Sequence, residues 1–210
     1  MILHKTPWWI RAFYTSLTWT GTPYVDDRPT VYLTFDDGPV PDITPWVAAT
    51  LQQYNAKATF FCVGDNIAKH PEEYAHIRQA GHTTANHTFH HVNGWKTTSK
   101  NYMTEVEDCQ KYLSTEPGGK PLFRPPYGKI SRKQIKLLSP GYQIIMWDVL
   151  SADYDKRLSP RNCLRRTIKA TRAGSIIVFH DSLKAEQNLK YTLPAFLEHF
   201  SEKGFAFKAL

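Results

Sequence analysis

Val31-Tyr-Leu-Thr-Phe35 is β-branched and aromatic throughout, and it stops abruptly at Asp36-Asp37-Gly38-Pro39. A run with no charged residue at alternate positions suits a strand buried on both faces, as in a parallel sheet. Similar runs recur at Ala58–Val63, His82–Asn86, Tyr142–Trp147, Ser175–Phe179 and Phe205–Ala209. Helical segments fall between them. One starts near Thr44, with Val47, Leu51 and Tyr54 on one face. Another opens at Pro71 and closes at Gly81. A third covers Ser99–Ser114, and Ser131 with Gln134 forms a capping box for a fourth. Pro160–Ala173 reads as a fifth, and the last opens at Pro194 and ends at Gly204.

Strand and helix in regular alternation imply an α/β chain built of βα units. Its 210 residues are few against the ~250 of a complete (β/α)8 barrel. The expectation is therefore a small, distorted or incomplete (β/α) barrel. A doubly wound open sheet is the alternative, but no glycine-rich loop follows the first strand. Residues 29–210 read as one domain, and 1–28 as an N-terminal extension packed on it.

With 41% hydrophobic and 21% charged residues, intrinsic disorder is excluded as the main state. No stretch is apolar for long enough to form a membrane span. Cys62, Cys109 and Cys163 are too few and too scattered for a disulfide scaffold or a CxxC zinc module. The chain holds 26 basic and 19 acidic residues, a formal charge of +7. That favours anionic partners such as an acidic glycan, but no nucleic-acid-binding motif is present. Arg161, Arg165, Lys169 and Arg172 read as the solvated face of a helix whose buried side holds Leu164 and Ile168. Residues 1–12 do not read as a secretory signal, because Pro7 and Arg11 break the apolar run. Trp8, Trp9 and Trp95 are expected to pack in the interior, with one or two free to stack on sugars. A monomer is the default.

Titratable residues collect just after the strands: Asp36 and Asp37, then His87, His90 and His91, Arg124, Asp148 and Asp153, and finally His180 and Asp181. In parallel barrels the active site sits at these C-terminal strand ends. His87 and His91, four residues apart, face one point if the segment is a helical turn, and His90 offers an alternative to His91. Two imidazoles and a carboxylate form a common open zinc site. Either Asp36 or Asp37 is placed to supply the carboxylate. Consecutive residues of an extended chain point in different directions, so one can bind metal while its neighbour accepts a proton.

Thr34-Phe35-Asp36-Asp37-Gly38-Pro39, His87-Thr88-Phe89-His90-His91, Arg124-Pro125-Pro126-Tyr127-Gly128, Trp147–Tyr154 and Val178-Phe179-His180 occur in this order. Together they resemble the five motifs of the polysaccharide deacetylases of carbohydrate esterase family 4, the NodB homology domain. The resemblance spans residues 31–181. It implies hydrolysis of N-acetyl, or else O-acetyl, groups on a carbohydrate polymer such as peptidoglycan, a chitin-like oligosaccharide or xylan. It also implies a divalent metal, zinc first and cobalt or nickel next, held by Asp37, His87 and His91. By the same resemblance Asp36 is the general base, oriented by Arg124, and His180 the general acid, oriented by Asp153. The Tyr127 N–H serves the oxyanion, Pro126 borders the substrate site, and Trp147 and Val178 line the acetyl pocket. Family members are usually exported to the cell envelope, and no signal is visible in this chain.

Leu150 stands where many members have Asp, Tyr154 where many have Trp, and Val178 where Leu is usual. These departures bear on the substrate more than on the reaction. The competing readings are a non-haem iron enzyme, which uses the same ligand types, and a glycan-binding protein without activity. Intact Asp36 and His180 favour hydrolysis over both.

Overall fold

The computed structural model describes residues 3–114 and 119–210. A short helix α1 (Trp8–Phe13) precedes β1 (Tyr24–Val25), which forms an antiparallel pair with the long strand β2 (Arg28–Asp36). Then come α2 (Ile43–Gln53), β3 (Thr59–Cys62), α3 (Gly64–Lys69), α4 (Pro71–Gln79) and β4 (Thr83–Asn86). The chain continues through α5 (Ser99–Gln110), β5 (Leu122–Phe123), α6 (Arg132–Leu138), β6 (Gln143–Ile144) and β7 (Val149–Leu150). It closes with α7 (Pro160–Ala170), β8 (Ile176–His180), α8 (Glu186–Glu202) and β9 (Ala206–Lys208).

The strands form one curled sheet in the order β6-β5-β4-β3-β2-β8-β7, and every neighbouring pair on that path is parallel. β9 joins β2 in parallel near its start. The result is an incomplete barrel, with β6 and β7 as its free edges. Residues of the N-terminal segment stand between those edges. Thr18 bridges Ile145 beside β6, and Lys5 bridges Val149 in β7. Thr6 N–H donates to the Asp148 carbonyl at 2.9 Å, and Met146 N–H to the Thr18 carbonyl at 2.7 Å. Strand edges left open would present unpaired backbone groups, and this segment occupies them.

Side chains alternate across the sheet as the pleat requires. Phe35, Phe60 and Phe179 occupy matching positions of β2, β3 and β8, with ring centroids 5.0 and 5.8 Å apart. They pack outward with Val47, Leu51, Leu193 and Phe196 of the helices. Tyr32, Phe61, Ala85, Ile145 and Ile176 fill the inner side. Asp36 shares the phase of Tyr32 and Thr34, so β2 carries it to the inner mouth of the barrel.

Several elements depart from the expectation. Gly64, just past the end of β3, begins α3, which the sequence reading omits. A Cβ there would run into Phe89 and the Cys109 backbone. The third helix ends at Gln110, a turn short of Ser114. The Tyr142–Trp147 run supplies only two ladder residues, Gln143 and Ile144, and Ile145 then bridges Thr18 of the N-terminal segment. The fifth helix ends at Ala170, so Arg172 lies outside it. Its fully buried residues are Cys163 and Thr167, with Leu164 and Ile168 partly buried. The last helix starts at Glu186 rather than at Pro194, which lies in its interior. Pro194 forfeits the bond to the Lys190 carbonyl. Lys190 is exposed, so water can serve that carbonyl, while Leu189, Leu193, Phe196 and Leu197 are all buried on the inner face. Burial of four such side chains, at about 1.5–3 kcal/mol each, outweighs one lost hydrogen bond. Trp8, Trp9 and Trp95 are exposed and not interior.

Candidate active site

Asp36 ends β2 with its side chain almost fully buried. Its Oδ1 accepts from Arg124 Nη1 at 2.7 Å. Arg124 is wholly buried, and four of its five N–H groups meet a protein acceptor. It also donates to Thr34 Oγ1 at 2.7 Å and to the carbonyls of Ile145 and Met146 at 3.3 and 3.1 Å. Its guanidinium lies 4.0 Å from the Phe61 ring centroid. The pairing fixes the carboxylate by one oxygen and leaves the other toward the pocket, which Asp36 lines.

Asp37 adopts φ +83°, which turns its side chain away from that of Asp36. Gly38 follows, where a Cβ would strike the Asp181 carboxyl. Asp181 accepts from Gly38 N–H at 3.1 Å and from Thr44 Oγ1 at 2.6 Å, and burial pushes its carboxyl up to about 8. Asp181 therefore braces the turn and does not face the pocket. Asn66 of α3 donates to the Asp37 carbonyl at 2.7 Å.

The 87–91 segment is not a helical turn. Thr88 and His91 have φ of +63° and +54°, and the loop they shape brings the imidazoles of His87 and His91 to 5.0 Å between centroids. Asp37 Oδ1 lies 3.2 Å from His91 Nε2 and 3.9 Å from His87 Nε2. One donor atom from each of the three residues falls within 4.8 Å of the other two. His90 points elsewhere, its Nδ1–H donating to Glu105 at 2.9 Å.

The donor set fits a divalent transition metal. It combines two imidazole nitrogens with a carboxylate oxygen, and both rings are oriented through their other nitrogen. His87 Nδ1–H donates to the Arg124 carbonyl at 2.8 Å, which leaves Nε2 unprotonated toward the cluster. His91 Nδ1 pairs with the Tyr127 hydroxyl at 3.1 Å. Burial lowers His87 to about 4, so it stays neutral, as a metal-binding imidazole must be. Burial opposes charge on Asp37, but the hydrogen bond with His91 and the nearby His180 and His87 outweigh it. They hold the carboxyl well below the usual range.

His180 ends β8 in register with Asp36. Its Nδ1–H donates to Asp153 Oδ1 at 2.7 Å and its backbone N–H to Asp153 Oδ2 at 2.8 Å. Burial works against the imidazolium, but Asp153, then Asp37 and Asp36, raise it to about 9. Asn188 donates to the Asp153 carbonyl at 2.9 Å and fixes that loop. Tyr154 lies edge-on to His180 at 4.9 Å. Asp148 is not part of the site. It is buried against Lys5, Arg11 and Ser175 and ties down the N-terminal segment.

These groups open into one pocket, with Tyr127, Trp147, Leu150, Val178 and Lys184 on its walls. Tyr127 (φ +60°) and Gly128 (φ +65°) make a tight left-handed turn, and a Cβ at 128 would collide with the Trp147 ring. Pro126 is buried beneath that turn. Lys184, 5.1 Å from the Tyr154 ring, escapes the sequence reading because it lies beyond any motif. Its only signal is its place in the loop after a sheet strand.

The family profile for polysaccharide deacetylases matches residues 24–142. A peptidoglycan-N-acetylglucosamine deacetylase of Bacillus cereus is 33% identical over 181 residues, covering 82% of this chain. The chain spans 65% of that relative's length. A chitooligosaccharide deacetylase of Azorhizobium caulinodans is 29% identical over 204 residues, covering 88% of this chain and 94% of the relative. The crystal structure of the Bc1960 peptidoglycan N-acetylglucosamine deacetylase superposes with a TM-score of 0.85 at 28% identity, over 98% of this chain and 95% of the other. At 98% of this chain, that superposition extends past residue 142. The chain belongs to the polysaccharide deacetylase family.

Proposed function

We propose that this protein is a metal-dependent deacetylase that hydrolyses the N-acetyl group of an amino sugar in a glycan of the peptidoglycan or chitin type. One observation carries the reading. The pocket holding the Asp37, His87 and His91 donors also receives two ionisable groups with separate buried partners, Asp36 with Arg124 and His180 with Asp153. An amide hydrolase needs a base for the attacking water and an acid for the departing amine; Asp36 offers the first, and His180, its imidazolium favoured by Asp153, the second.

Asp37, His87 and His91 would hold the cation, zinc by its donor types with cobalt or nickel as alternatives, and it would supply Lewis-acid activation of water and of the carbonyl. Asp36 takes the proton of the attacking water as the new C–O bond forms. General-base help of this kind is worth about 10²–10⁴ in rate. The Tyr127 N–H stands at the turn beside the cluster as a donor for the oxyanion, worth about 3–4 kcal/mol where such a donor is aligned. His180 Nε2–H gives its proton to the sugar nitrogen as the C–N bond breaks. The products are acetate and a free amine. Trp147 and Val178 bound the space for the acetyl methyl, with Pro126 behind the Tyr127 turn.

The test is acetate release from N-acetylchitooligosaccharides, peptidoglycan and acetylxylan, each with zinc, with cobalt and with chelator. Metal-dependent release from an N-acetylated glycan is the expected outcome. Release from acetylxylan alone would move the assignment to an ester, and no release from metal-loaded protein would rule out the deacetylase.

A further inference from the structure

The net charge of the chain is not spread evenly. Nine of its 26 basic residues, and none of its 19 acidic ones, fall within residues 1–25 and 156–180. The remainder, with 17 basic and 19 acidic residues, is slightly acidic. The two segments are distant in sequence but touch in the fold. Lys5 Nζ donates to the Ala170 carbonyl, at the end of α7, at 2.8 Å. Lys5, Arg11 and Arg172 converge on the buried Asp148 carboxylate, the last two at 3.3 and 4.0 Å.

Arg161, Arg165, Arg166, Lys169 and Arg172 are all exposed. Among the described residues, the carboxylates that the cations of these two segments reach are Asp148 and, for Arg157, Asp155. Arg161, Arg165, Arg166 and Lys169 therefore keep uncompensated charge. The N-terminal segment adds apolar surface beside them. Trp8 and Phe13 of α1 are 74% and 72% exposed. Trp9 faces a groove of about 810 Å³ beside the active-site pocket, whereas Trp8 and Phe13 line neither the groove nor the pocket. Lys169 and Arg172 precede β8, and His180 stands at the other end of that strand, so this end of the patch lies away from the catalytic centre.

A soluble polyanion needs only the cations. Two large aromatic side chains left in water beside them forgo burial that an apolar phase would restore. A bilayer containing acidic lipid offers both, anionic headgroups outside and hydrocarbon beneath. Aromatic side chains favour the boundary between the two. Among the described residues no helix is long and apolar enough to cross a bilayer, so the contact is peripheral. We propose that the N-terminal segment and α7 form a docking surface for an anionic lipid bilayer, with Trp8 and Phe13 entering the interface and Arg165, Arg166 and Lys169 over the headgroups. Neither part suffices alone, because such binding combines buried apolar area with attraction to acidic lipid.

The experiment is co-sedimentation of the full chain with vesicles of phosphatidylcholine alone and of phosphatidylcholine mixed equally with phosphatidylglycerol, in low and in high salt. Binding to the mixed vesicles alone, weakened by salt, is the expected result. Arg166→Gln with Lys169→Gln should lower the partition coefficient about twentyfold, since each basic residue near an acidic leaflet is worth about fivefold. Trp8→Ala with Phe13→Ala should lower it about fivefold or more through lost apolar burial. Lys100→Gln with Lys203→Gln makes the same change of net charge outside the two segments, and should leave binding within about twofold. No binding to either vesicle, equal binding to both, an equal loss in the Lys100 and Lys203 variant, or binding that survives loss of Trp8 and Phe13 would each overturn the proposal. In the last case, competition by inorganic polyphosphate would reassign the cations to a soluble polyanion. Binding is read without substrate, so the outcome is independent of the deacetylase reading.

Discussion

At Arg124 a guanidinium with no exposed surface meets a carboxylate, a hydroxyl, two backbone carbonyls and a phenyl face. Breaking such a buried pair from one side costs about 3–5 kcal/mol, because the partner is left charged and unmatched. Arg124→Ala should therefore lower stability by that amount in denaturant titration and also free Asp36, the proposed base, from its fixed position, with loss of turnover. Asp36→Asn should abolish turnover while metal analysis still finds a full load, because its pocket oxygen is not among the three ligand atoms. His91→Ala should lose the metal. His180→Ala should slow an acetamide far more than an activated aryl acetate, whose leaving group needs no proton; equal losses on both would remove its role as acid. Most of these residues are legible in the sequence because each sits in a short run where a strand ends. Asp181 and Asp148 share that placement yet serve structure, and only their hydrogen bonds reveal it. Lys184 and Asn66 belong to no run at all.

At the scale of elements, β2 and β8 are readable because their apolar runs admit only buried strands. The 87–91 loop is not readable, since its shape depends on left-handed conformations at Thr88 and His91 that neither residue advertises. α8 hides its first half for the opposite reason. Pro194 is a strong local stop signal, and only the tertiary burial of Leu189 and Leu193 overrides it. The N-terminal segment is the third case, because its partners lie more than a hundred residues away. Asp148 is the knot that holds it. Asp148→Asn should cost about 2–3 kcal/mol, less than a fully enclosed pair because Lys5 is partly solvated. Hydrogen exchange should then rise selectively over residues 3–21, while β2, β3 and β8 remain protected.

Over the whole molecule, protons couple to stability through groups far from the chemistry. His82 is buried, accepts from Ala58 N–H at 3.3 Å through Nδ1, and is pushed down from 6.5 to about 4 by burial. Between those values the unfolded chain binds a proton that the native state refuses. The stability His82 contributes is thus complete above pH 6.5 and is lost as pH falls toward 4. His82→Asn keeps an acceptor for Ala58 but cannot titrate. In metal-free protein it should reduce the acid-side slope of unfolding free energy by about 1.4 kcal/mol per pH unit, the value of one proton. An unchanged slope would mean that His82 is protonated in the native state.

The segment between the two sheet edges also sets an order of events. Lys5 and Thr18 are synthesised well before Val149 and Ile145, with which they pair across more than a hundred residues. Contacts of such sequence separation are slow to form, and the earliest residues wait longest for theirs. During synthesis the aromatic stretch Trp8–Phe13 therefore precedes the strand edges β6 and β7 between which its segment docks. The groove beside the pocket takes one wall from that segment and the other from residues 127–130 and 146–150, so it is completed only when these distant parts of the chain have found each other.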